Sequence, residues 1–346
     1  MARPRIELNL TEAAERAESA LRQSWPSASI VSIKPLKGGA SSLTYEAEVE
    51  GGEDKRIVIK IAPPGLPPVR NRDVLRQARL MHALASVDGV KVPKILGTDT
   101  GTPPETPPLF VMTFVEGESH EPYHMTKAPP SPSDARIRAI GASRMLARLH
   151  SVDIGTLDLG DEPAISPRDE VERWDRALAT VDSDLSEGLA KVRNGLLANV
   201  PNALPPAALH GEWRLGNLIC RGGDILAAID WEIWSVSDPR IDLAWFLVMA
   251  DPDHPTAKAP GEGMPDIAEL LAVYEESAGR KIVDLDWFIA LIWLKHVATS
   301  ALIVKNNRKR TVPDPRYEKM VPRIRRFMGL ATVTLETGSP YFGDRS

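Results

Sequence analysis

Two polar motifs joined by a predicted β-hairpin constrain the fold of this chain more than any other feature. The first motif runs from His210 to Asn217, and the second, Asp230-Trp231-Glu232, begins thirteen residues after Asn217. Residues 217–220 and 225–229 between them are β-like, and the intervening Arg-Gly-Gly-Asp is typical of a tight turn. A hairpin folds the chain back on itself, so the sequence predicts that Asn217 and Asp230 lie close together.

The residue types in these motifs suit phosphoryl transfer. That reaction needs a carboxylate near the attacking hydroxyl and oxygen ligands that hold a metal ion against the phosphates. Amide and carboxylate oxygens are ligands that Mg²⁺ prefers. We therefore predict Glu212, Asn217 and Asp230 as catalytic residues, with Asn217 and Asp230 as the metal ligands. Taken singly, an Asn that caps a turn and an Asp that ends a strand also have structural interpretations, and only their joint spacing favours a site.

The composition is that of an ordinary globular protein. The 346 residues are 43% hydrophobic and 26% charged with a net charge of -5, so the sequence predicts neither nucleic acid nor a membrane surface as a partner. The single cysteine, Cys220, cannot form an intrachain disulfide. The charged N-terminus lacks the apolar core of a signal peptide, and the apolar run from Trp287 to Leu294 is too short to cross a bilayer. We expect a cytoplasmic protein, and the sequence leaves its oligomeric state open.

Periodicity and turn signals divide the chain into two lobes and indicate the α+β class. Residues 1–115 are predicted to form a small lobe with helices at 11–23 and 73–84 and antiparallel strands at 29–36, 43–50, 56–62, 95–96 and 109–115. Residues 116–133, rich in proline and histidine, are the predicted hinge and connector. Residues 134–346 are predicted to be mainly helical, with helices at 134–150, 168–199, 265–278, 284–305 and 315–330.

The motifs resemble those of the aminoglycoside phosphotransferase and choline kinase-like family, whose members have a protein-kinase-like fold. The family pattern is His-Gly-Asp, four residues, Asn, a hairpin, an Ile-Asp-Trp-Glu-like segment, then Asp-Pro and a later Asp-Leu-Ala. The matching segments are His210-Gly211-Glu212, Asn217, Ile229-Asp230-Trp231-Glu232, Asp238-Pro239 and Asp242-Leu243-Ala244. The resemblance implies a two-lobe fold in which residues 1–115 bind nucleotide, while residues 134–346 carry the catalytic loop and the acceptor pocket.

The resemblance also implies nucleotide-binding residues in the first lobe. Lys60, on the third β-like run, matches the strand lysine that such kinases place on the phosphates of ATP. Kinase folds pair that lysine with a glutamate of the next helix, and here Gln77 stands in its place, with Asp73 four residues earlier as a candidate for the missing charge. The complete set of predicted cofactor-binding residues is Gly39, Ser41, Ser42, Lys60, Gln77 and Met112.

The implied activity is transfer of the γ-phosphoryl group of ATP, with Mg²⁺, to a hydroxyl group of a small molecule. Glu212 occupies the position of the family's catalytic Asp, and its extra methylene moves the carboxylate by roughly 1.5 Å. A misplacement of ~1 Å can cost ~100-fold in rate, whereas phosphoryl transfer depends more on positioning and metal charge than on proton removal. We favour a retained activity. The alternative is a nucleotide-binding pseudoenzyme or regulatory module in which Glu212 and Gln77 impair catalysis.

The sequence constrains the acceptor less. Polycationic aminoglycosides need many carboxylates, and the C-terminal half has no dense acidic cluster, so an aminoglycoside phosphotransferase is not favoured and stays only a further alternative. The segments around Asn217 and Asp242 look closer to kinase domains found with acyl-CoA dehydrogenases, some of which phosphorylate hydroxyacyl-CoA, and hydroxyacyl-CoA is therefore a candidate acceptor. Basic residues between Lys305 and Arg326 could meet CoA phosphates, although a solvated helix face is the interpretation that we favour.

Overall fold

The chain forms two compact units that are assembled from interleaved segments. The computed structural model describes residues 8–36, 42–122, 129–257 and 261–341. Of these described residues, those within 1–119, 152–161 and 217–234 form the first unit, and those within 120–151, 162–216 and 235–346 form the second. The sequence predicted two lobes that each occupy one continuous range, divided between residues 115 and 133. In the structure the hairpin that follows Asn217, which the prediction placed in the second lobe, belongs to the first unit.

The secondary structure is an antiparallel sheet followed by a mainly helical remainder, as the predicted α+β class requires. The strands are β1 (Ser29–Pro35), β2 (Leu43–Glu50), β3 (Arg56–Ile61), β4 (Ile95–Asp99), β5 (Leu109–Thr113), β6 (Ala164–Ile165), β7 (Ala207–Leu209), β8 (Leu218–Arg221), β9 (Asp224–Ala228) and β10 (Ser235–Ser237). The helices are α1 (Leu10–Leu21), α2 (Val74–Leu84), α3 (Pro132–His150), α4 (Pro167–Leu178), α5 (Leu189–Ala198), α6 (Arg240–Met249), α7 (Ile267–Ala278), α8 (Leu285–Arg308) and α9 (Val321–Thr337).

A five-stranded sheet with the order β1-β2-β3-β5-β4 forms the frame of the first unit. Helix α1 packs against it through Ala13, Ala17, Ala20 and Leu21, which share one face because they recur at helical spacing. Small residues allow a close approach: a Cβ on Gly97 of β4 would lie 1.8 Å from the Ala20 carbonyl oxygen. Strand β3 lies in the middle of the sheet, and its residues from Ile57 to Ile61 are buried.

Helices dominate the second unit. The long helix α8 packs against α4, α6 and α9, and α3 packs against α7. A three-stranded sheet with the order β6-β10-β7 lies among these helices. Strand β7 ends at Leu209, so it leads directly into the motif that begins at His210.

Some details of the predicted secondary structure are wrong. The single helix predicted for residues 168–199 is two helices, α4 and α5, because the chain leaves the helix after Leu178 and passes through Gly188 with a left-handed φ of 85°. No helix was predicted for α6, because its residues from Arg240 to Val248 are all buried and therefore show no polar face. Strands β6, β7 and β10 have only two or three residues, too few for a period to emerge.

Helix α8 is longer than the apolar run that the sequence suggested. By length and composition it could cross a membrane, although 78% of its most apolar 18-residue window is buried inside the protein. A helix that forms the centre of a globular core passes the same test. Its packing against α4, α6 and α9 accounts for the apolar sequence.

Candidate active site

The predicted hairpin forms and brings the two metal-ligand candidates together. Strands β8 and β9 pair antiparallel, with Leu218 opposite Ala228. The next hydrogen bond beyond this pair joins the Ile229 amide to the Asn217 carbonyl oxygen at 2.9 Å. Asn217 and Asp230 therefore flank the open end of the hairpin, as the spacing predicted. Asp230 has a left-handed φ of 69°, a conformation that Asp adopts more readily than most residues.

Backbone hydrogen bonds hold the hairpin inside the first unit. The amide and carbonyl of Glu118 pair with those of Cys220, at 2.9 Å and 2.8 Å. Lys91 holds the other strand, because its carbonyl accepts from the Ala228 amide at 2.8 Å and its Nζ donates to the Ile225 carbonyl at 2.7 Å. The close approach near the hinge requires glycine at 117, where a Cβ would lie 2.6 Å from the Cys220 carbonyl oxygen.

Lys60 lies beside this open end. It projects from β3, where it pairs with Thr44 on β2 and Phe110 on β5, and its side chain is only 9% exposed. Its Nζ lies 3.7 Å from Asp230 Oδ1 and 3.9 Å from Glu232 Oε2. A buried ammonium is stable only where opposite charges face it, and these two carboxylates supply them.

A cavity of about 350 Å³ opens between the sheet, the hinge and the hairpin, all within the first unit. The polar side chains of its lining are those of Lys60, Asn217 and Asp230, with the two threonines Thr44 and Thr113. Apolar side chains form much of the remainder, namely Leu36, Val58, Pro93, Met112, Phe114, Val115, Ile219 and Ile229. An apolar cleft with a few convergent polar groups is typical of a small-ligand site. A nucleotide suits such a cleft, because its base can pack against apolar side chains while its phosphates meet the polar groups.

Besides Asp230, the carboxylate that lies near Lys60 is that of Glu232 and not that of Asp73, which the sequence had indicated. Gln77 is buried on α2, and its amide nitrogen donates to the Asn71 carbonyl oxygen at 3.5 Å. The Asp73 hypothesis is wrong, because that carboxylate caps α2 by accepting from the amides of Leu75 and Arg76. Glu232 faces Lys60 instead, since a single 3-10 turn after Asp230 carries it back toward the strand.

The glycine-rich turn before Lys60 is described only at its end. Gly39 and Ser41 lie outside the described residues. Ser42 is buried, and its hydroxyl has no hydrogen-bond partner among the residues that the structure describes. A buried hydroxyl without a partner is unfavourable in the protein alone and is suited to a polar ligand.

The motif at His210 lies in the second unit and is fixed through its backbone. Asp242 accepts from the His210 amide at 2.6 Å and from the Gly211 amide at 2.8 Å, while His150 Nε2 lies 3.6 Å from the same carboxylate. Burial alone would raise the pKa of Asp242, but the imidazole of His150, with the charges of His210 and Lys295, holds it below its ordinary value. Asp242 is therefore an ionised anchor of the loop.

Glu212 has a defined position within that anchored loop. Its carboxylate Oε1 accepts from Arg214 Nε at 3.2 Å, and its side chain is about one third exposed. Glu212 belongs to the second unit, whereas Asn217 and Asp230, which follow it in the sequence, belong to the first. Its role as the catalytic carboxylate remains a prediction from the sequence.

Asn217 and Asp230 suit a metal ion that a bound molecule also coordinates. The amide oxygen of Asn217 and the carboxylate of Asp230 are hard donors, which suit Mg²⁺. Across the described residues, no cluster of three or more His, Cys, Asp or Glu side chains forms a cage for a metal ion. Mg²⁺ characteristically takes one or two protein ligands and completes its coordination with phosphates and water.

Comparisons with known proteins identify the family of this chain. The profile of the phosphotransferase enzyme family (APH) matches residues 32–276, more than two thirds of the chain. The mouse protein named acyl-CoA dehydrogenase family member 10 is 26% identical over 262 residues, which cover 71% of this chain and 24% of that protein. The human protein named acyl-CoA dehydrogenase family member 11 is 25% identical over 255 residues, 69% of this chain and 32% of that protein. The chain thus spans about a quarter to a third of the length of these relatives.

Solved structures share the fold. A Ralstonia eutropha protein provisionally described as an aminoglycoside phosphotransferase superimposes with a TM-score of 0.74 at 22% identity, covering 88% of this chain and 92% of that one. The aminoglycoside phosphotransferase APH(2″)-IIIa, solved with GDP and kanamycin, superimposes with a TM-score of 0.61 at 14% identity, covering 91% and 98%. At these identities the likeness establishes the fold alone, and it confirms the predicted kinase-like architecture.

Proposed function

This chain belongs to the phosphotransferase enzyme family, and from that premise we propose that it is an ATP- and Mg²⁺-dependent kinase acting on a hydroxyl group of a small molecule. The enzyme class, a small-molecule phosphotransferase, follows from the family. One observation carries the finer proposal: Lys60, which lies within 4 Å of Asp230 and Glu232, lines together with Asp230 a cavity whose remaining lining is mainly apolar. That cavity has the character expected of a nucleotide site.

Each polar group has a distinct part in this proposal. Lys60 would bind the phosphates of ATP, and the Ser42 hydroxyl would donate to a phosphate oxygen. Asn217 and Asp230 would hold Mg²⁺, which neutralises phosphate charge when it is bound. Glu212 would accept a hydrogen bond from the acceptor hydroxyl and so orient it toward the γ-phosphorus.

The proposed reaction transfers the γ-phosphoryl group of ATP to the acceptor hydroxyl. The acceptor oxygen attacks the γ-phosphorus, the bond between that phosphorus and the β,γ-bridging oxygen breaks, and ADP leaves with the bonding electrons. The hydroxyl proton passes to the Glu212 carboxylate and then to solvent. Because the transition state of phosphoryl transfer is loose, the carboxylate has to position the hydroxyl more than it has to deprotonate it. A glutamate can perform that task when its carboxylate is held in place.

For the acceptor we propose a hydroxyacyl-CoA. The support is the similarity to proteins named acyl-CoA dehydrogenase family members, whose names point to acyl-CoA chemistry. The basic C-terminal stretch adds little support, because several of its arginines already have carboxylate partners. Arg308 pairs with Asp182, Asp184 and Glu318, and Arg316 pairs with Asp314. The favoured interpretation of a charged, solvated surface therefore agrees with the structure.

Binding and turnover distinguish this function from its alternatives. A thermal shift with ATP and Mg²⁺ should raise Tm, and ADP release should then appear with 3-hydroxybutyryl-CoA as acceptor, compared with small alcohols, sugars and kanamycin. ATP-dependent stabilisation without ADP release from any acceptor would favour the pseudoenzyme. ADP release with kanamycin alone would favour the aminoglycoside alternative, and the absence of both signals would refute a nucleotide-dependent function.

Replacing Glu232 by Gln should lower kcat/KM for ATP by about tenfold. The substitution keeps the shape of the side chain but removes one of two carboxylates that face Lys60, so the ammonium loses a charge partner. Steady-state ADP release at varied ATP measures the effect, with Glu105→Gln on the exposed surface as the control. A Glu232→Gln variant as active as the control would show that Lys60 does not depend on this carboxylate.

A further inference from the structure

We propose that Arg214 is a positioning residue that holds the Glu212 carboxylate, so that Glu212 and Arg214 work as a matched pair. This inference rests on the proposed function and deepens it. A glutamate has one more rotatable bond than an aspartate, and its carboxylate can therefore occupy more positions. The Arg214 guanidinium limits that freedom, because its Nε donates to Glu212 Oε1 at 3.2 Å.

Arg214 is itself held from the other side by a buried carboxylate. Its Nη1 donates to Glu121 Oε2 at 3.1 Å, and the same oxygen accepts from the Gly216 amide at 2.8 Å. The Glu121 side chain is only 4% exposed. Because Arg214 uses Nε toward Glu212 and Nη1 toward Glu121, its planar group bridges the two carboxylates in one orientation.

The bridge leaves no room for a larger residue at 216. A Cβ on Gly216 would lie 2.3 Å from Arg214 Nη1 and 2.8 Å from Glu121 Oε2. The glycine two residues after Arg214 therefore allows the guanidinium and the buried carboxylate to meet. Glu121 lies 93 residues before Arg214 in the sequence, so the contact depends on the folded second unit.

The backbone on the other side of Glu212 is fixed as well. Lys295 is buried on α8, and its Nζ donates to the Gly211 carbonyl oxygen at 2.5 Å while lying 4.2 Å from the centre of the Trp245 ring. Asp242 fixes the Gly211 amide, as described above. With both polar groups of Gly211 held, the backbone that leads into Glu212 is fixed, and Arg214 acts on the Glu212 side chain.

The decisive experiment measures whether Arg214 matters only because residue 212 is a glutamate. Arg214→Met should lower kcat for ADP release with 3-hydroxybutyryl-CoA by about 30-fold, with KM for ATP changed less than about twofold, because a misplaced carboxylate slows the chemical step. In a Glu212→Asp background the same substitution should change kcat less than about threefold, because the shorter carboxylate no longer reaches Arg214. Arg214→Lys should be more active than Arg214→Met, because lysine keeps the positive charge. It should be less active than the wild type, because lysine lacks the planar guanidinium that bridges two carboxylates.

Two further variants separate positioning from folding. Arg214→Met leaves Glu121 buried without its cation and is expected to destabilise the protein. The double variant Glu121→Gln/Arg214→Met removes both charges, so it should be more stable than Arg214→Met while lowering kcat by a similar factor. Arg316→Met, an exposed arginine in the same unit, is the matched control and should leave kcat unchanged.

Contrary results would distinguish a failure of the pairing between Glu212 and Arg214 from a failure of the proposed function. Equal losses of kcat in the wild-type and Glu212→Asp backgrounds would overturn the pairing and leave Arg214 as a structural residue. A raised KM for the acceptor with unchanged kcat would also overturn it, because Arg214 would then bind an anionic acceptor. No ADP release by the wild-type protein would refute the proposed function and this inference together, whereas turnover without coupling between the two positions would refute this inference alone.

Discussion

Asp230→Asn is expected to lower kcat for phosphotransfer by at least ~1,000-fold, the order of loss that follows when charge stabilisation at a transferring phosphoryl group is removed. The substitution keeps the size of the side chain and removes its negative charge. Asp230 is one of the two metal-ligand candidates, and an amide holds Mg²⁺ less well than a carboxylate does. Removing the charge also takes away one of the carboxylates within 4 Å of Lys60.

The measurement is ADP release at saturating ATP over a range of Mg²⁺ concentrations. We expect the apparent affinity for Mg²⁺ to fall together with kcat, and Mn²⁺ to recover part of the activity because it binds nitrogen- and oxygen-containing sites more tightly. The matched control is Asp224→Asn, an exposed residue of β9 on the same hairpin. An Asp230→Asn variant that retained more than a tenth of the wild-type kcat would show that the metal site has been assigned to the wrong residue.

Asp242→Asn is expected to lower the free energy of unfolding by about 3 kcal/mol, the size of effect seen when a buried, hydrogen-bonded charge loses its partners. Asp242 is completely buried and accepts from two backbone amides with its two oxygens. An Asn side chain has one acceptor and one donor group, so its NH₂ would face an amide that also donates. Urea unfolding measures the loss, with Glu276→Gln on the exposed face of α7 as the control.

The pH dependence of stability gives this prediction a second test. The folded pKa of Asp242 lies below its ordinary value of 3.8, since the neighbouring cations outweigh the effect of burial. A carboxyl with a depressed folded pKa stabilises the protein above the unfolded pKa, and this contribution is lost as the pH falls through the folded pKa. The gap in unfolding free energy between wild type and Asp242→Asn should therefore be constant above about pH 5 and narrow below about pH 4. A gap that stayed the same down to pH 3 would contradict the assignment.

The sequence predicted the hairpin and the strand lysine because both are encoded over short distances. Glycines at a turn between two β-like runs define the hairpin locally, and the position of Asn217 and Asp230 at its open end then follows from strand pairing alone. Lys60 was identified through the resemblance to kinases, and its neighbours Ile59 and Ile61 supported its place on a buried strand. Local pattern was sufficient for the hairpin and for the strand of Lys60, whereas the contact of Lys60 with Asp230 joins residues far apart in the sequence.

Contacts between remote residues escaped prediction for a physical reason. Glu121 lies in a segment whose proline and histidine content predicted a connector, and nothing in that composition signals that its carboxylate meets Arg214. Glu232 was visible beside Asp230, but its contact with Lys60 depends on a 3-10 turn that has no strong sequence signal. Asp73 was misassigned because it is the N-cap of α2 with an extended backbone, so the helical spacing used to relate it to Gln77 does not apply at that position.

The interleaving of the two units has a consequence for how the protein is made. The segment up to residue 119 leaves the ribosome before the hairpin, which follows about 100 residues later and supplies Asn217 and Asp230 to the same unit. At synthesis rates of about 5–20 residues per second, that interval is on the order of ten seconds. During this time the sheet residues that line the cavity, such as Val58 and Met112, lack the opposite wall that Ile219 and Ile229 later supply. The cavity beside Lys60 is therefore a late product of translation, and a fragment that ends at the hinge should lack this cavity and be prone to aggregation.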